Sequence, residues 1–150
     1  MKRLELRRHA IRHATVDQLT KEGKTQAEDV GATLEGRYDA LFVSSAKRAA
    51  ETAAWFLRAL GQPLPQNHAI FEPFQNPASE GELQETVREM FRLIPPDGKG
   101  LAVGHTPLIE KAVEGLTGTK VKPLKECEGV LVTEDDGAFE VEREFRLGAG

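Results

Sequence analysis

Residues 40–53 read Ala40-Leu41-Phe42-Val43-Ser44-Ser45-Ala46-Lys47-Arg48-Ala49-Ala50-Glu51-Thr52-Ala53. The first four form a compact apolar run suited to a buried strand, and the two serines stop it. Ala49, Ala53, Phe56, Leu57 and Leu60 then recur at helical spacing, until Gly61 and Pro63 end the pattern. A buried strand that feeds at once into an amphipathic helix is the repeating unit of an α/β sheet.

The same unit recurs on either side. Upstream, Leu4-Glu5-Leu6 reads as a short strand ending at Arg7 or Arg8, and Ala27, Val30, Gly31 and Leu34 form a helical face. Downstream, residues 64–70 hold a short strand among prolines. Ser79 with Glu82 is a capping-box signature, opening a helix whose Leu83, Val87, Met90, Phe91 and Ile94 share a face. Leu101-Ala102-Val103 is another buried strand, ending at Gly104-His105. Thr106-Pro107 predicts a helix start, with the threonine hydroxyl as cap and proline at the first helical position, and Ile109, Ala112, Val113 and Leu116 facing the core. Residues 129–133 and 138–147 read as two strands joined by Glu134-Asp135-Asp136-Gly137. The expected fold is a three-layer α/β sandwich, with a mostly parallel central sheet, helices on both faces and an antiparallel C-terminal strand. One domain over residues 1–150 accommodates it, since 150 residues leave little room for a second core.

Composition narrows the function. With 39% hydrophobic and 29% charged residues the chain has the make-up of a soluble globular domain. Its formal charge of -4 argues against a nucleic-acid binder, and no aromatic residues interleave with the cationic start. That start is local: Lys2, Arg3, Arg7, Arg8 and Arg12 stand against Glu5 alone in residues 1–13. The longest apolar run, residues 53–57, is far short of a membrane span, and Met1-Lys2-Arg3-Leu4-Glu5 lacks the apolar stretch of a secretory leader. Cys127 is the single cysteine, so no internal disulfide forms and a cytoplasmic location is expected.

Ligands of such sheets bind beyond the carboxyl ends of the strands. Three of those ends carry Arg8-His9, Ser44-Ser45 with Arg48 nearby, and Gly104-His105-Thr106. Two imidazoles, two guanidinium forks and two helix N-termini suit a phosphoryl group. A metal centre fits poorly, so neither metal nor cofactor is expected. His9 and His13 are four apart but His9 follows a strand, no carboxylate cluster accompanies them, and the adjacent arginines repel a divalent cation. Ser44 and Ser45 lack a Gly-x-Ser-x-Gly elbow, and Cys127 lies far from any phosphate-binding turn. A histidine nucleophile is left. Neutral imidazole can attack phosphorus and hold the phosphoryl group as a phosphoramidate while Arg8, Arg48 and His105 stabilise its oxygens.

These residues resemble a known family. Arg8-His9-Ala10 after a strand resembles the Arg-His-Gly signature of the histidine phosphatase (phosphoglycerate mutase-like) superfamily. Leu19-Thr20-Lys21-Glu22-Gly23-Lys24-Thr25-Gln26-Ala27 resembles its Leu-Thr-x-x-Gly-x-x-Gln-Ala helix. Residues 44–53 resemble its Ser-Ser-x-x-Arg-Ala-x-x-Thr-Ala segment, and Val103-Gly104-His105 its second histidine block. The blocks occur in family order from residue 4 to about residue 117.

The resemblance implies His9 as the phosphorylated nucleophile, with Arg8, Arg48 and His105 binding the phosphoryl group and Arg12 and Thr106 as further substrate contacts. Ser44 and Ser45 are read as shaping the turn, Glu51 and Thr52 as packing or helix-pairing residues, and His13 as a surface residue or one just behind the site. Larger members carry a glutamate general acid somewhat over twenty residues after the second arginine. Glu72, 24 after Arg48, matches that placement, against the alternative of a solvated loop carboxylate; Glu80 has its own explanation in the helix cap. His105 follows Arg48 by only 57 residues, leaving little room for a mutase insertion, and the length is similar to that of the short bacterial phosphohistidine phosphatases of SixA type. Those often carry Arg-Pro before Leu-Thr, where this chain has Asp17-Gln18; Arg12 either replaces that arginine or faces water. The expectation is a metal-independent phosphatase acting on a phosphohistidine protein or a small phosphate ester. The alternatives are a small-molecule phosphomonoesterase with Glu72 as acid and a non-catalytic phosphate-recognition module. The oligomeric state is left open.

Overall fold

The computed structural model describes residues 1–148. Six strands, β1 (Lys2–Arg8), β2 (Ala40–Ser44), β3 (Asn67–Phe71), β4 (Lys99–Gly104), β5 (Gly129–Asp135) and β6 (Ala138–Phe145), form one sheet in the order β3-β2-β4-β1-β5-β6. The first four of that order are parallel, β5 runs antiparallel to β1, and β6 returns antiparallel to β5.

Helices α1 (Lys21–Gly31) and α2 (Lys47–Leu60) cover one face, and α3 (Glu80–Leu93) and α4 (Leu108–Thr117) the other. The strand period of two explains the division. Ala40, Phe42 and Ala102 pack toward α3 and α4, while Leu41, Val43, Leu101 and Val103 pack toward α1 and α2. Central strands buried on both sides must read as unbroken apolar runs, and β2 and β4 do. The expected three-layer sandwich is the observed architecture.

Local chemistry sets the element ends. Thr20 caps α1 by accepting the Gly23 N–H at 2.9 Å. Ser79 accepts the Glu82 N–H at 3.1 Å, while the Glu82 carboxylate reaches one residue past the cap to the Ala78 N–H at 2.7 Å. Asp136 and Gly137, with φ of 53° and 84°, form the two-residue turn of the β5–β6 hairpin, whose twist requires positive φ at both positions.

Several boundaries differ from the sequence expectation; β5 runs on to Asp135, into the expected connection, and Ile94 follows α3 rather than belonging to it. Helix α1 ends at Gly31, so Leu34 is buried beyond the helix, where the Thr33 and Leu34 N–H groups close tight turns on Val30 and Gly31. Strand β6 stops at Phe145 rather than Leu147. Helix α4 starts at Leu108 with Pro107 outside it, and the Thr106 hydroxyl does not cap it. The hydroxyl donates to the Glu110 carboxylate inside the first turn of α4, tying Thr106 to the helix through a side chain.

The register matters for the site. Arg8 lies opposite Gly104, and Ser44 opposite Phe71, so His9, His105, Ser45 and Glu72 all emerge at one end of the sheet. On the α1–α2 face, buried Glu5 accepts from Tyr38 Oη at 2.7 Å and Arg7 Nε at 2.7 Å, and Arg7 Nη1 donates to the Cys127 carbonyl at 2.9 Å. That buried ion pair is hydrogen-bonded on both sides, and it ties β1 to the loop before β5.

Candidate active site

His9 follows β1 directly, and its main chain is fixed on three sides. Its N–H donates to Gly104 O at 3.0 Å, the Cys127 N–H reaches Arg8 O and His9 O at 3.1 and 3.3 Å, and the next N–H, of Ala10, donates to Thr52 Oγ1 at 3.0 Å. The ring is 5% exposed. Its Nδ1 lies 2.7 Å from the Ala10 carbonyl, which can only accept, so Nδ1 carries the hydrogen and Nε2 the lone pair. Burial, reinforced by the charges of Arg48, Arg8 and Arg12 and opposed by the Ala10 bond, pushes its pKa down to about 4. The ring is therefore neutral at pH 7, with a free nucleophilic nitrogen.

His105 follows β4, the neighbouring strand, and its ring centre lies 5.3 Å from that of His9. Its Nε2 is 2.7 Å from Ser44 Oγ, and its Nδ1 is 3.4 Å from Arg48 Nη2. A guanidinium only donates, so Nδ1 is the acceptor and Nε2–H donates to the serine. Burial and the Arg48 charge push its pKa also to about 4. To donate to a phosphoryl oxygen from Nδ1, His105 must first gain a proton there.

Two guanidiniums flank the rings. Arg8 Nη1 donates to Leu124 O at 2.9 Å and Nη2 lies 3.8 Å from Glu126; Arg48 Nη1 pairs with Asp17 at 2.9 Å. The Nε of each is buried and has no partner among the described residues. Leaving such a donor unmet costs ~1–3 kcal/mol, more when charged. Two guanidiniums beside two neutral imidazoles form a candidate site for an oxyanion.

The model of the "Histidine phosphatase superfamily (branch 1)" matches residues 5–95. The chain belongs to the histidine phosphatase superfamily. It is a phosphatase of that superfamily, as the strand-end motifs imply. Among solved structures the protein histidine phosphatase SixA complexed with tungstate is similar over 96% of each chain, with a TM-score of 0.79 at 18% identity. Bacillus stearothermophilus YhfR is similar over 99% of this chain and 98% of its own, with a TM-score of 0.80 at 16% identity. A mycobacterial glucosyl-3-phosphoglycerate phosphatase covers 96% and 98%, with a TM-score of 0.76 at 14% identity. No curated protein matches the chain. At these identities the likeness speaks for the fold, and the histidine phosphatase motifs speak for the chemistry.

The motif residues without a reacting atom anchor the loop after His9. Gln26 accepts the Ile11 N–H at 3.1 Å, Glu51 the Leu19 N–H at 3.0 Å, and Thr52 the Ala10 N–H, so Glu51 and Thr52 do more than pair helices. Gly23 is required by close approach, since a Cβ there would sit 1.9 Å from Ile11 O. Ser44 also exceeds its expected turn-shaping role by holding His105.

Other predicted residues lie around this centre. Glu72, just past β3, bonds Ser45 Oγ and accepts from Asn76 Nδ2 at 2.8 Å; these two bonds hold its carboxyl below the usual range. Arg12 Nε and Nη2 donate to His13 O and Val16 O at 3.0 and 3.4 Å, so its guanidinium is held by its own loop. Thr106 is engaged by Glu110, and His13 is exposed. Cys127 is buried, with its thiol pushed up to about 12 by burial, which suits packing and no nucleophilic role.

Asp17 is the residue that sequence reasoning missed. Its carboxylate accepts the Lys47 and Arg48 N–H groups at 2.8 and 3.1 Å, besides the Arg48 side chain. The N-terminus of α2, expected to face phosphate, is therefore already capped by a carboxylate. The Asp17-Gln18 departure from the family pattern was the one signal that marked the position.

Proposed function

We propose that this phosphatase hydrolyses a phosphohistidine protein or a small phosphate ester through a covalent phosphohistidine on His9, without a metal. The observation that carries the reading is the neutral His9 ring, with Nε2 unprotonated, beside two buried guanidinium N–H groups that lack a partner. The tungstate bound by the similar SixA structure is a tetrahedral oxyanion, which is consistent with it.

The Nε2 lone pair attacks phosphorus as the bond to the leaving group breaks. Arg8, Arg48 and His105, protonated on Nδ1 once the dianion is bound, hold the equatorial oxygens. Arg12 adds positive charge nearby, and Thr106 steadies the start of α4 through Glu110. Because Nδ1 keeps its hydrogen for the Ala10 carbonyl, the phosphorylated ring is cationic. Water attacking phosphorus then expels a neutral imidazole and releases dihydrogen phosphate, which returns to solvent the proton taken up by the leaving group.

Glu72 decides between substrates. An alkyl ester needs an acid for its alkoxide, a role the Ser45 and Asn76 bonds that hold the Glu72 pKa down work against, whereas the nitrogen of a phosphohistidine leaves readily without one. The alternative is a small-molecule phosphomonoesterase in which Glu72 is the acid. Turnover of both substrate types in excess chelator is expected to be vanadate-sensitive and to vanish in His9→Ala, with 32P trapped on the wild-type protein after an acid-free quench. Persistent turnover in His9→Ala overturns the mechanism. A loss confined to the alkyl ester in Glu72→Gln assigns the acid role to Glu72.

A further inference from the structure

Ala46, the N-cap residue of α2, offers no side-chain acceptor. A carboxylate far upstream supplies it, for Asp17 accepts the N–H groups of both Lys47 and Arg48. The same carboxylate also accepts from Arg48 Nη1 at 2.9 Å. Burial raises the Asp17 pKa, but the two backbone donors and the guanidinium outweigh burial and hold it below its ordinary value, so the group is an anion at neutral pH.

A guanidinium is a rigid planar fork, so fixing one corner fixes the direction of the others. With Nη1 held by Asp17 and Nη2 against His105 Nδ1 at 3.4 Å, the orphaned Nε–H belongs to a fork whose orientation is already set. We propose that Asp17 is a positioning residue for the phosphatase reaction: its carboxylate grips the Nη1 corner of Arg48 and keeps the Nη2 corner beside His105, where the phosphoryl group is to bind. The proposal rests on the assignment of Arg48 as a phosphoryl ligand made above. Asp17 touches no reacting atom, and its effect passes through Arg48.

Helix capping alone is the competing account, and comparing Asp17→Asn in the wild type and in an Arg48 variant separates the two, because Asn keeps one acceptor oxygen for the helix N–H groups yet lacks the charge that holds a guanidinium. Asp17→Asn is expected to lower kcat/KM for p-nitrophenyl phosphate by about tenfold and to weaken vanadate inhibition by a similar factor, as a displaced positioning group does. In an Arg48→Lys background, where no fork remains to be aligned, the same change is expected to cost less than about twofold. Equal losses in the two backgrounds, or unaltered kinetics in Asp17→Asn, overturn the proposal; a loss that arises from α2 alone multiplies equally in both and counts against it. 32P trapping in parallel keeps the failures apart. Label on the wild type, none on His9→Ala and equal losses sink the positioning role alone, whereas turnover surviving in His9→Ala sinks the phosphohistidine reading beneath it.

Discussion

Ser44 Oγ lies 2.7 Å from His105 Nε2, and that contact fixes which ring nitrogen faces the guanidinium of Arg48. With Nε2–H given to the serine, Nδ1 is the nitrogen that gains a proton when a dianion arrives. Ser44→Ala leaves the buried Nε2–H unmet and frees the tautomer. A drop of about tenfold in kcat/KM, equivalent to ~1.4 kcal/mol, is expected. 15N chemical shifts of the His105 ring check the cause; an unchanged tautomer with unchanged turnover would refute it.

Acid should unfold this protein earlier than its carboxylates dictate. His9 and His105 each fall from 6.5 to about 4 on folding, chiefly through burial, so between those values the unfolded chain binds more protons and stability rises with pH. The contribution is full above pH 6.5 and is lost as pH falls toward 4, on the order of 3 kcal/mol for each ring. Asp17 and Glu128 are also depressed, but from 3.8 and 4.5, so the interval from pH 5 to 6.5 isolates the imidazoles. Melting temperatures across that interval should slope downward with acid in the wild type and less steeply in His105→Asn. Equal slopes would contradict the assignment.

Thr52→Val keeps the shape of the side chain and removes the acceptor for the Ala10 N–H. The unmet buried donor is expected to cost ~1–3 kcal/mol in chemical denaturation and to reduce turnover, because Ala10 both follows His9 and holds its Nδ1. Thr52→Ser, which retains the hydroxyl, should recover most of both. Recovery of neither would show that the methyl group, and hence packing, carries the effect.

Gly23→Ala asks the Ile11 carbonyl to move, since the added carbon would meet that oxygen at 1.9 Å. Helix propensity favours alanine, yet overpacking against main chain should win, with a net loss of about 1–3 kcal/mol and lower turnover. A more stable Gly23→Ala would mean that the loop after His9 yields freely.

The layers of this fold were legible because β2 and β4 are unbroken apolar runs and the helices between strands keep one apolar face. The two histidines, Arg8 and Arg48 were legible because each lies at a strand end or close behind one. What was hidden depends on contacts distant in sequence. No local pattern reveals that Asp17 caps α2, or that Ser44 faces His105 across 61 residues. Leu34 misled for a related reason, as a buried leucine at helical spacing belongs to the core whether or not the helix continues to it.

The Arg8 guanidinium rests on the Leu124 carbonyl and near Glu126, and the Arg8 and His9 carbonyls meet the Cys127 amide. During synthesis, a ribosome that had released residues 1–118 would have delivered Arg8, His9, Arg48 and His105 without the loop that holds Arg8. The first strand's arginine is aimed by the loop that precedes β5, so that side of the candidate site is complete only once this late segment has docked.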